Sequence, residues 1–297
     1  MRSTNSINKS FNLFDICNYL ILSAVILLMG VPFYYLAVNS LTPESVILKQ
    51  GYTFFPTSIS LNAYYIIFNI SDQILRSIGI TLFITVVGTI MNLVITFFFA
   101  YTLSRKEVPG RSGMMVYLVI SMIFSAGLIP WAIVVKNCGL INSIWVYIIP
   151  SLLNPWYTIL IRNFFMEIPS SLREAAIIDG CSEFLVLVKI VLPVSKPIIA
   201  TLTLFYAIDN WNRWFECLIF ITDSRLFSLQ YLIYQLLTRI SSLQTASSGQ
   251  AQQSSLILSS ETVKLATIMV STIPIMLVYP FVQKYFLKGI MVGSVKE

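Results

Sequence analysis

The sequence contains no histidine and few charged residues, and both shortages narrow the function before any motif is considered. Only 11% of the 297 residues are charged and 57% are hydrophobic, whereas soluble domains carry about 25% charged residues. This composition places the chain in a bilayer rather than in water. Without histidine the chain cannot build imidazole metal sites, Ser-His-Asp or Cys-His catalytic sites, or imidazole proton relays.

Two motifs of metal and nucleotide chemistry are also missing. The four cysteines, Cys17, Cys138, Cys181 and Cys217, show no CxxC spacing, so the sequence predicts neither a zinc site nor a redox pair. No G-x-x-x-x-G-K-[ST] segment is present, so the chain has no phosphate-binding loop of its own. We therefore expect no metal, no cofactor and no catalytic residue, and the energy for any transport must come from another polypeptide.

Long uncharged runs are the main structural signal. A helix needs about 20 apolar residues to cross the hydrocarbon core of a bilayer. Five uncharged runs have about this length or more, and a sixth apolar stretch, 197–222, is interrupted only by Asp209, Arg213 and Glu216. The five runs are 16–43, 77–104, 112–135, 137–161 and 265–283. The sequence therefore predicts an all-α membrane protein with six transmembrane helices.

The basic residues predict the orientation of these six helices. With the amino terminus inside, the cytoplasmic parts of the chain hold twelve of the 19 lysine and arginine residues. These twelve are Arg2, Lys9, Arg105, Lys106, Arg111, Arg162, Arg173, Lys189, Lys196, Lys284, Lys288 and Lys296. By the positive-inside rule, both termini should lie in the cytoplasm. The uncharged, Ser/Gln-rich stretch 241–260 is then an outer segment, either a flexible tether or a contact for an outside partner.

The inner loop 162–196 carries the most specific pattern. Ser171 lies three residues before Glu174, which is the spacing of a capping box and predicts a helix start. Asp179-Gly180 should end this helix, because glycine adopts the left-handed conformation at little cost. A second helix can begin at Ser182. The result is a helix, a glycine turn and a helix, suited either to docking into a groove of a soluble partner or to lying on the membrane without one.

The order of residues in this loop resembles a known family. Glu174-Ala175-Ala176-x-x-Asp179-Gly180, followed by Ile190 and Leu192-Pro193, is similar to the EAA loop of binding-protein-dependent ABC-transporter permeases. Two further segments are similar to the carbohydrate-uptake, maltose-type branch. They are Trp211-Asn212 with Trp214-Phe215, and the ending Pro280, Phe281, Lys284-Tyr285-Phe286, Lys288-Gly289, Gly293 and Lys296.

The resemblance implies a type I ABC importer permease fold in a bacterial cytoplasmic membrane, made of a cytoplasmic segment 1–15, a six-helix domain 16–284 with a coupling loop 162–197, and a cytoplasmic tail 285–297. It implies a second permease subunit, two cytoplasmic ATPase subunits, an extracellular solute-binding protein or lipoprotein, and a carbohydrate substrate. No nucleic acid is implied. The residues expected to couple to the ATPase are Glu174, Ala175, Ala176, Asp179 and Gly180.

The charges of the fifth span form the second candidate site. Asp209, Arg213 and Glu216 are spaced i, i+4 and i+7, so on a continuous helix they share one face and both acids could pair with the arginine. Charges at bilayer depth face a protein interior or a water-filled path. Together with Asn210 and Asn212 they are candidates for lining the translocation path. The alternative is an ion pair that holds this helix against a partner subunit.

Two other classes of protein remain to be weighed. A secondary transporter driven by an ion gradient often shows inverted repeats and broken helices near the membrane midplane, whereas here the signal lies in a cytoplasmic loop. A membrane-embedded enzyme would need a nucleophile and a base, and the sequence assembles neither. An ATP-driven carbohydrate importer subunit is therefore the favoured function, with the secondary transporter as the alternative.

Overall fold

A computed structural model describes residues 13–56, 58–243 and 260–292, and within these ranges the chain contains helices and no strand. The helices are α1 Leu13–Ser40, α2 Glu44–Gln50, α3 Asn62–Tyr65, α4 Asp72–Ser104, α5 Arg111–Ile123, α6 Leu128–Asn137, α7 Pro155–Glu167, α8 Ser170–Ile178, α9 Glu183–Val186, α10 Leu192–Val194, α11 Lys196–Trp211, α12 Phe215–Phe220, α13 Leu229–Leu243 and α14 Glu261–Val292. Short 3-10 turns occupy Ile144–Tyr147, Ile149–Ser151 and Ser224–Leu226, and π-helical turns occupy Ile66–Ile70 and Leu187–Val191.

The predicted number of spans is confirmed when bent helix pairs are counted as single spans. Three helical segments, Leu13–Ser40, Asp72–Ser104 and Glu261–Val278, are long and apolar enough to cross a membrane by themselves. Three further pairs bring the total to six but are bent, by 119° between α5 and α6, 48° between Ile144–Ser151 and α7, and 86° between Glu183–Val194 and the segment Lys196–Phe220. The apolar runs therefore predict the number of membrane crossings but not where the spanning helices bend.

The sequence carries a signal for all three bends, and the bend of 86° lies at Ser195, between Pro193 and Pro197. Gly127 lies between α5 and α6 with φ 83°, a left-handed conformation that glycine adopts readily. Before α7, the Asn154 side chain accepts a hydrogen bond from the Tyr157 amide and Pro155 is the first helical residue. The helix that begins here, α7, runs to Glu167, five residues beyond the predicted start of the inner loop at 162.

The described chain divides into two compact units. In the first, which holds residues 13–66 and 260–269, Glu44 caps the start of α14: its carboxylate accepts hydrogen bonds from the amides of Glu261 and Thr262, both at 3.0 Å, and from the Ser260 hydroxyl. Burial alone would raise the pKa of Glu44, but these hydrogen bonds from Ser260, Thr262 and Glu261 outweigh it and lower the pKa below 4.5.

The second unit, residues 67–243 and 270–292, is built around α4, which packs against α11 and α7. A buried cluster at the carboxyl-terminal end of α4 also includes residues of α8 and α9, so the helix-turn-helix of the inner loop rests on this core. Its buried members are Phe97, Ala100, Tyr101, Ile161, Phe165, Ala176, Val186, Leu187, Val191, Leu202 and Tyr206. The core therefore fixes where the predicted coupling segment projects.

Several predicted segments fall wholly or partly outside the described residues. They are residues 1–12 of the amino-terminal segment, residues 244–259 of the Ser/Gln-rich stretch and residues 293–297 of the carboxyl-terminal tail. The described chain is helical from Glu261 to Val292.

Candidate functional site: the inner helical hairpin and the broken fifth span

The predicted helix, glycine turn and helix are present in the inner loop. We call this segment, α8 with α9, the coupling hairpin, after the role that the resemblance of its sequence implies. Gly180 has φ 84°, and its amide bonds the carbonyl of Ile177 at 2.9 Å while the amide of Cys181 bonds the carbonyl of Ala176 at 2.9 Å. This pair of bonds is a Schellman motif, which satisfies the last carbonyls of the helix and requires the left-handed residue. The second helix starts at Ser182 as predicted, where the Ser182 side chain accepts a hydrogen bond from the Leu185 amide.

The predicted capping box at the start of the first helix is wrong. Pro169 is the N-cap of α8 and makes no side-chain cap bond, and Ser170 is the first helical residue. Ser171 is therefore already inside the helix, where its hydroxyl cannot serve as the cap for Glu174. The helix begins directly after Pro169, whose backbone at ψ 130° is extended.

The five coupling candidates divide into four exposed residues and one buried residue. Glu174, Ala175, Asp179 and Gly180 are exposed, whereas Ala176 is 6% exposed and packs into the buried cluster. The exposed residues form one accessible face of the hairpin. Ala176 anchors that face to the core.

A hydrogen-bond network that the sequence did not indicate ties the coupling hairpin to α4. The Tyr101 hydroxyl donates to Glu183 at 2.6 Å, and Arg173 binds the other carboxylate oxygen of Glu183 through two of its nitrogens. Arg173 also reaches Glu107 of the α4–α5 loop at 3.4 Å. Tyr101 and Glu183 are 82 residues apart in the chain, so no local pattern could have joined them.

The prediction that Asp209, Arg213 and Glu216 share one face of a continuous helix is wrong. Helix α11 ends at Trp211, and α12 starts at Phe215. The carbonyl of Arg213 accepts a hydrogen bond from the Ser228 hydroxyl at 2.7 Å instead of continuing a helix. No glycine or proline lies between 209 and 216 to signal this break.

The break separates the two acids. Arg213 forms an ion pair with Glu216 at 2.7 Å, with side chains 12% and 17% exposed. Asp209 is exposed and accepts a hydrogen bond from the Tyr157 hydroxyl of α7 at 3.0 Å. Asp209, Asn212, Arg213 and Glu216 still line one open cavity of about 310 Å³, together with Trp214 and Phe215. We call this cavity the span-five cavity.

Asn210 is placed differently from the other four candidates of the fifth span. It is 1% exposed, and its side-chain amide donates to Asn92 at 3.0 Å and to Thr89 at 3.2 Å, both on α4. Its oxygen accepts a hydrogen bond from Arg213 Nε at 2.9 Å. Burial between two helices and full hydrogen bonding favour a role in helix packing. Within the described ranges, no group of cysteine, aspartate and glutamate residues is arranged to hold a metal ion.

These features define the class of protein: a multi-pass helical membrane protein in which a helical hairpin packs on the core around α4. The family model for the binding-protein-dependent transport system inner membrane component matches residues 92–292. Protein LplC of Bacillus subtilis (strain 168) is 42% identical over 288 residues, covering 97% of this chain and 96% of the relative. The polygalacturonan/rhamnogalacturonan transport system permease protein YtcP of the same organism is 39% identical over 284 residues, covering 96% and 98%.

A solved structure is similar over most of the chain. A bacterial ABC transporter involved in the import of the acidic polysaccharide alginate contains a chain with TM-score 0.80 and 31% identity, covering 92% of this chain and 96% of that one. The protein belongs to the family of binding-protein-dependent transport system inner membrane components, as the resemblance of its inner loop indicated. Members of this family are permease subunits of ABC transporters and not enzymes, which sets aside both the ion-gradient transporter and the membrane-embedded enzyme.

Proposed function

We propose that this protein is a permease subunit of an ATP-driven importer for a carbohydrate of oligosaccharide size. The observation that carries the proposal is the near full-length similarity to YtcP, whose name gives two polysaccharides as transported material. The similarity to a chain of an alginate importer supports the same substrate class. The test is uptake of a panel of labelled oligosaccharides by cells with and without the gene. Loss of uptake of at least one glycan is expected, whereas unchanged uptake of every glycan contradicts the proposal.

The working complex contains a second permease, two cytoplasmic ATPase subunits and an extracellular solute-binding protein or lipoprotein. The need for an ATPase is supported by the absence of a G-x-x-x-x-G-K-[ST] segment from the sequence. Purification of the tagged permease from its native membrane should recover one further permease and an ATPase. Recovery of this chain as a homodimer without an ATPase would contradict the assembly.

The coupling hairpin transmits motion between the ATPase and the membrane-spanning helices. Three features of its geometry support this role. Glu174, Ala175, Asp179 and Gly180 are exposed, the Schellman turn fixes the angle between the two helices, and Ala176 anchors the hairpin in the core around α4. A rigid projection of this kind moves as one body with the helices beneath it, so force applied to the exposed face reaches α4 and α11.

The span-five cavity lines the translocation path. Its carboxylates and the Asn212 amide offer hydrogen-bond partners for sugar hydroxyls, and Trp214 and Phe215 offer aromatic faces. The alternative, that Arg213 and Glu216 serve only as a buried structural pair, is supported by their low exposure. Asp209 and Asn212 are exposed and lie outside this ion pair. Substitutions at these two residues can therefore test sugar contact without breaking the pair.

Two sets of variants decide between these roles. Arg213→Met leaves Glu216 without its partner, and breaking a buried pair in this way typically costs about 3–5 kcal/mol. If the pair is structural, Arg213→Met should lower the yield of the complex and Arg213→Met with Glu216→Gln should restore part of it. If the cavity contacts sugar, Asp209→Asn and Asn212→Ala should keep normal yield and lose glycan uptake. Normal uptake in both of the latter variants contradicts the path-lining role.

A further inference from the structure

A cavity of about 460 Å³ lies at the carboxyl-terminal end of α4, between the α4–α5 loop and α9. It is separate from the span-five cavity and shares no lining residue with it. Its lining residues are Phe98, Tyr101, Thr102, Arg105, Glu107, Val108, Pro109, Arg173, Glu183, Phe184 and Leu187. The cavity has an apolar wall and a charged rim, and each part limits the chemical class of ligand that can bind.

The apolar wall continues the surface of a membrane-spanning helix. Phe98 of α4 and Phe184 of α9 are both exposed and stack on each other, with ring centroids 6.1 Å apart and planes 10° from parallel. Leu187 extends the same wall. Arg105 is the first charge after the uncharged run 77–104, so Phe98 lies on the apolar side of this boundary and the rim lies at the polar side. Phe184 and Leu187 of the inner loop pack against this end of α4 and extend the apolar surface toward the rim.

The rim contains four charged groups, of which Glu183 and Arg173 are already fully engaged. Both oxygens of Glu183 accept hydrogen bonds, one from Tyr101 and the other from Arg173. Arg173 uses three of its nitrogens on Glu183 and Glu107. These groups have little capacity left for a ligand.

The other two rim groups have unused capacity of opposite sign. Arg105 forms no ion pair with a described residue, although its charge interacts with the Tyr101 hydroxyl and, at longer range, with Glu183. Its guanidinium lies 4.3 Å from the centroid of the Tyr101 ring, and its buried Nε has no hydrogen-bond partner. The Glu107 side chain is 66% exposed, and its contact is the 3.4 Å pair with Arg173. The rim therefore offers one cation and one anion to a ligand.

We propose that this cavity binds a phospholipid of the phosphatidylethanolamine class, with its phosphate on Arg105, its ammonium group on Glu107 and the start of an acyl chain along Phe98 and Phe184. The match is one of charge and polarity. A headgroup that carries one negative and one positive charge complements a rim with one cation and one anion, and the apolar wall takes the chain. Charged groups at the ends of membrane helices recognise lipid headgroups through their charges. The choice of the cytoplasmic leaflet for this lipid depends on the predicted orientation of the helices, whereas the lipid site itself does not.

The test measures lipid retention by the purified complex after reconstitution in equal parts phosphatidylethanolamine, phosphatidylglycerol and phosphatidylcholine. Native mass spectrometry of the released complex counts the retained molecules of each lipid. Arg105→Gln should lower phosphatidylethanolamine retention about tenfold, in line with the loss of a charge-assisted hydrogen bond. Lys106→Gln is the matched control, since Lys106 is exposed, adjacent in sequence and outside the cavity lining, and it should retain lipid as the unmodified protein does.

A second variant tests the headgroup. Glu107→Gln should leave total lipid retention unchanged and remove the preference for phosphatidylethanolamine over phosphatidylglycerol. Unchanged retention in Arg105→Gln overturns the site, and so does an equal loss in Lys106→Gln. If Arg105→Gln weakens ATPase binding and leaves lipid retention intact, the cavity is a protein contact and the proposal is wrong. Because retention is counted without any transport step, its failure is distinct from a failure of the proposed import function.

Discussion

Gly180 shows how one residue can control the coupling hairpin through its backbone alone. Its φ is 84°, and a Cβ built at this position has no atom within 4 Å. Space therefore does not limit the side chain, whereas the left-handed conformation does.

Gly180→Val should strain the turn, because a β-branched residue in the left-handed region costs on the order of 1–3 kcal/mol. We expect the purified complex to lose most of its transport-coupled ATP hydrolysis while the permease still inserts in the membrane. Gly180→Asn is the control, since asparagine tolerates this conformation and should keep most of the activity. Full coupled hydrolysis with valine would show that the turn geometry is not needed for coupling.

The cap that Glu44 forms on α14 should depend on pH. Its pKa is lower in the folded protein than the ordinary value of 4.5, because Ser260, Thr262 and Glu261 donate hydrogen bonds to the ionised form. A lowered pKa stabilises the fold above the ordinary value, and this contribution is lost as the pH falls through the folded value.

The cap on α14 should therefore hold at pH 6 and open below the folded pKa of Glu44, which lies under 4.5. Hydrogen exchange at the amides of Glu261 and Thr262, corrected for intrinsic rates, should lose its protection in this range. In Glu44→Gln the protection should be weaker at pH 6 and should not depend on pH between 6 and 4. Equal pH profiles in the two proteins would exclude Glu44 as the titrating group.

Among the elements, the contact between α4 and α11 depends on a polar centre. Asn210 of α11 bonds Thr89 and Asn92 of α4, and Asn92 in turn bonds the carbonyls of Ser151 and Leu152. Gly88 lets the two helices approach, since a Cβ at Gly88 would lie 3.0 Å from the Asn210 side chain. Three segments of the second unit thus meet at these two asparagines.

Asn210→Ala should destabilise the complex by about 1–3 kcal/mol, because it leaves the buried Asn92 oxygen and Arg213 Nε without their partner. A lower midpoint of thermal unfolding in detergent is the expected measurement. Asn212→Ala is the matched control, because Asn212 is exposed: its amide nitrogen donates to Ile208 of its own helix, and its oxygen accepts an exposed hydrogen bond from Gln230 at 3.3 Å. An unchanged midpoint for Asn210→Ala would mean that the polar centre contributes little to the packing.

At the scale of the whole molecule, the distribution of basic residues predicts the orientation of the helices in the membrane. Ser112 at the start of α5 should be cytoplasmic, and Ser224 after α12 should be outside. Both residues are exposed. In a variant without the four native cysteines, Ser224→Cys should react with an impermeant maleimide added to intact cells, and Ser112→Cys should react only after the cells are opened. Labelling in the opposite order would reverse the topology.

The sequence by itself determined the features that depend on neighbours along the chain. Five uncharged runs and one apolar stretch with three charges predicted the six crossings. Asp179-Gly180 followed by Ser182 predicted the turn and the start of the second helix of the coupling hairpin. Such features are local, because the hydrophobic length of a helix and the φ preference of glycine act within a few residues. The capping box failed for a local reason, since the helix begins at Ser170, directly after Pro169, and Ser171 is not its N-cap.

Only the tertiary structure decided the features that join distant parts of the chain. At the break after Trp211 the Arg213 carbonyl is bound by Ser228, Asp209 is bound by Tyr157 of α7, and the hairpin is joined to α4 by the bond from Tyr101 to Glu183. Each partner lies 15 to 82 residues away in sequence. A hydrogen bond between such residues exists only after packing brings them together, because the helical spacing that orders near neighbours carries no information about which helices will be adjacent.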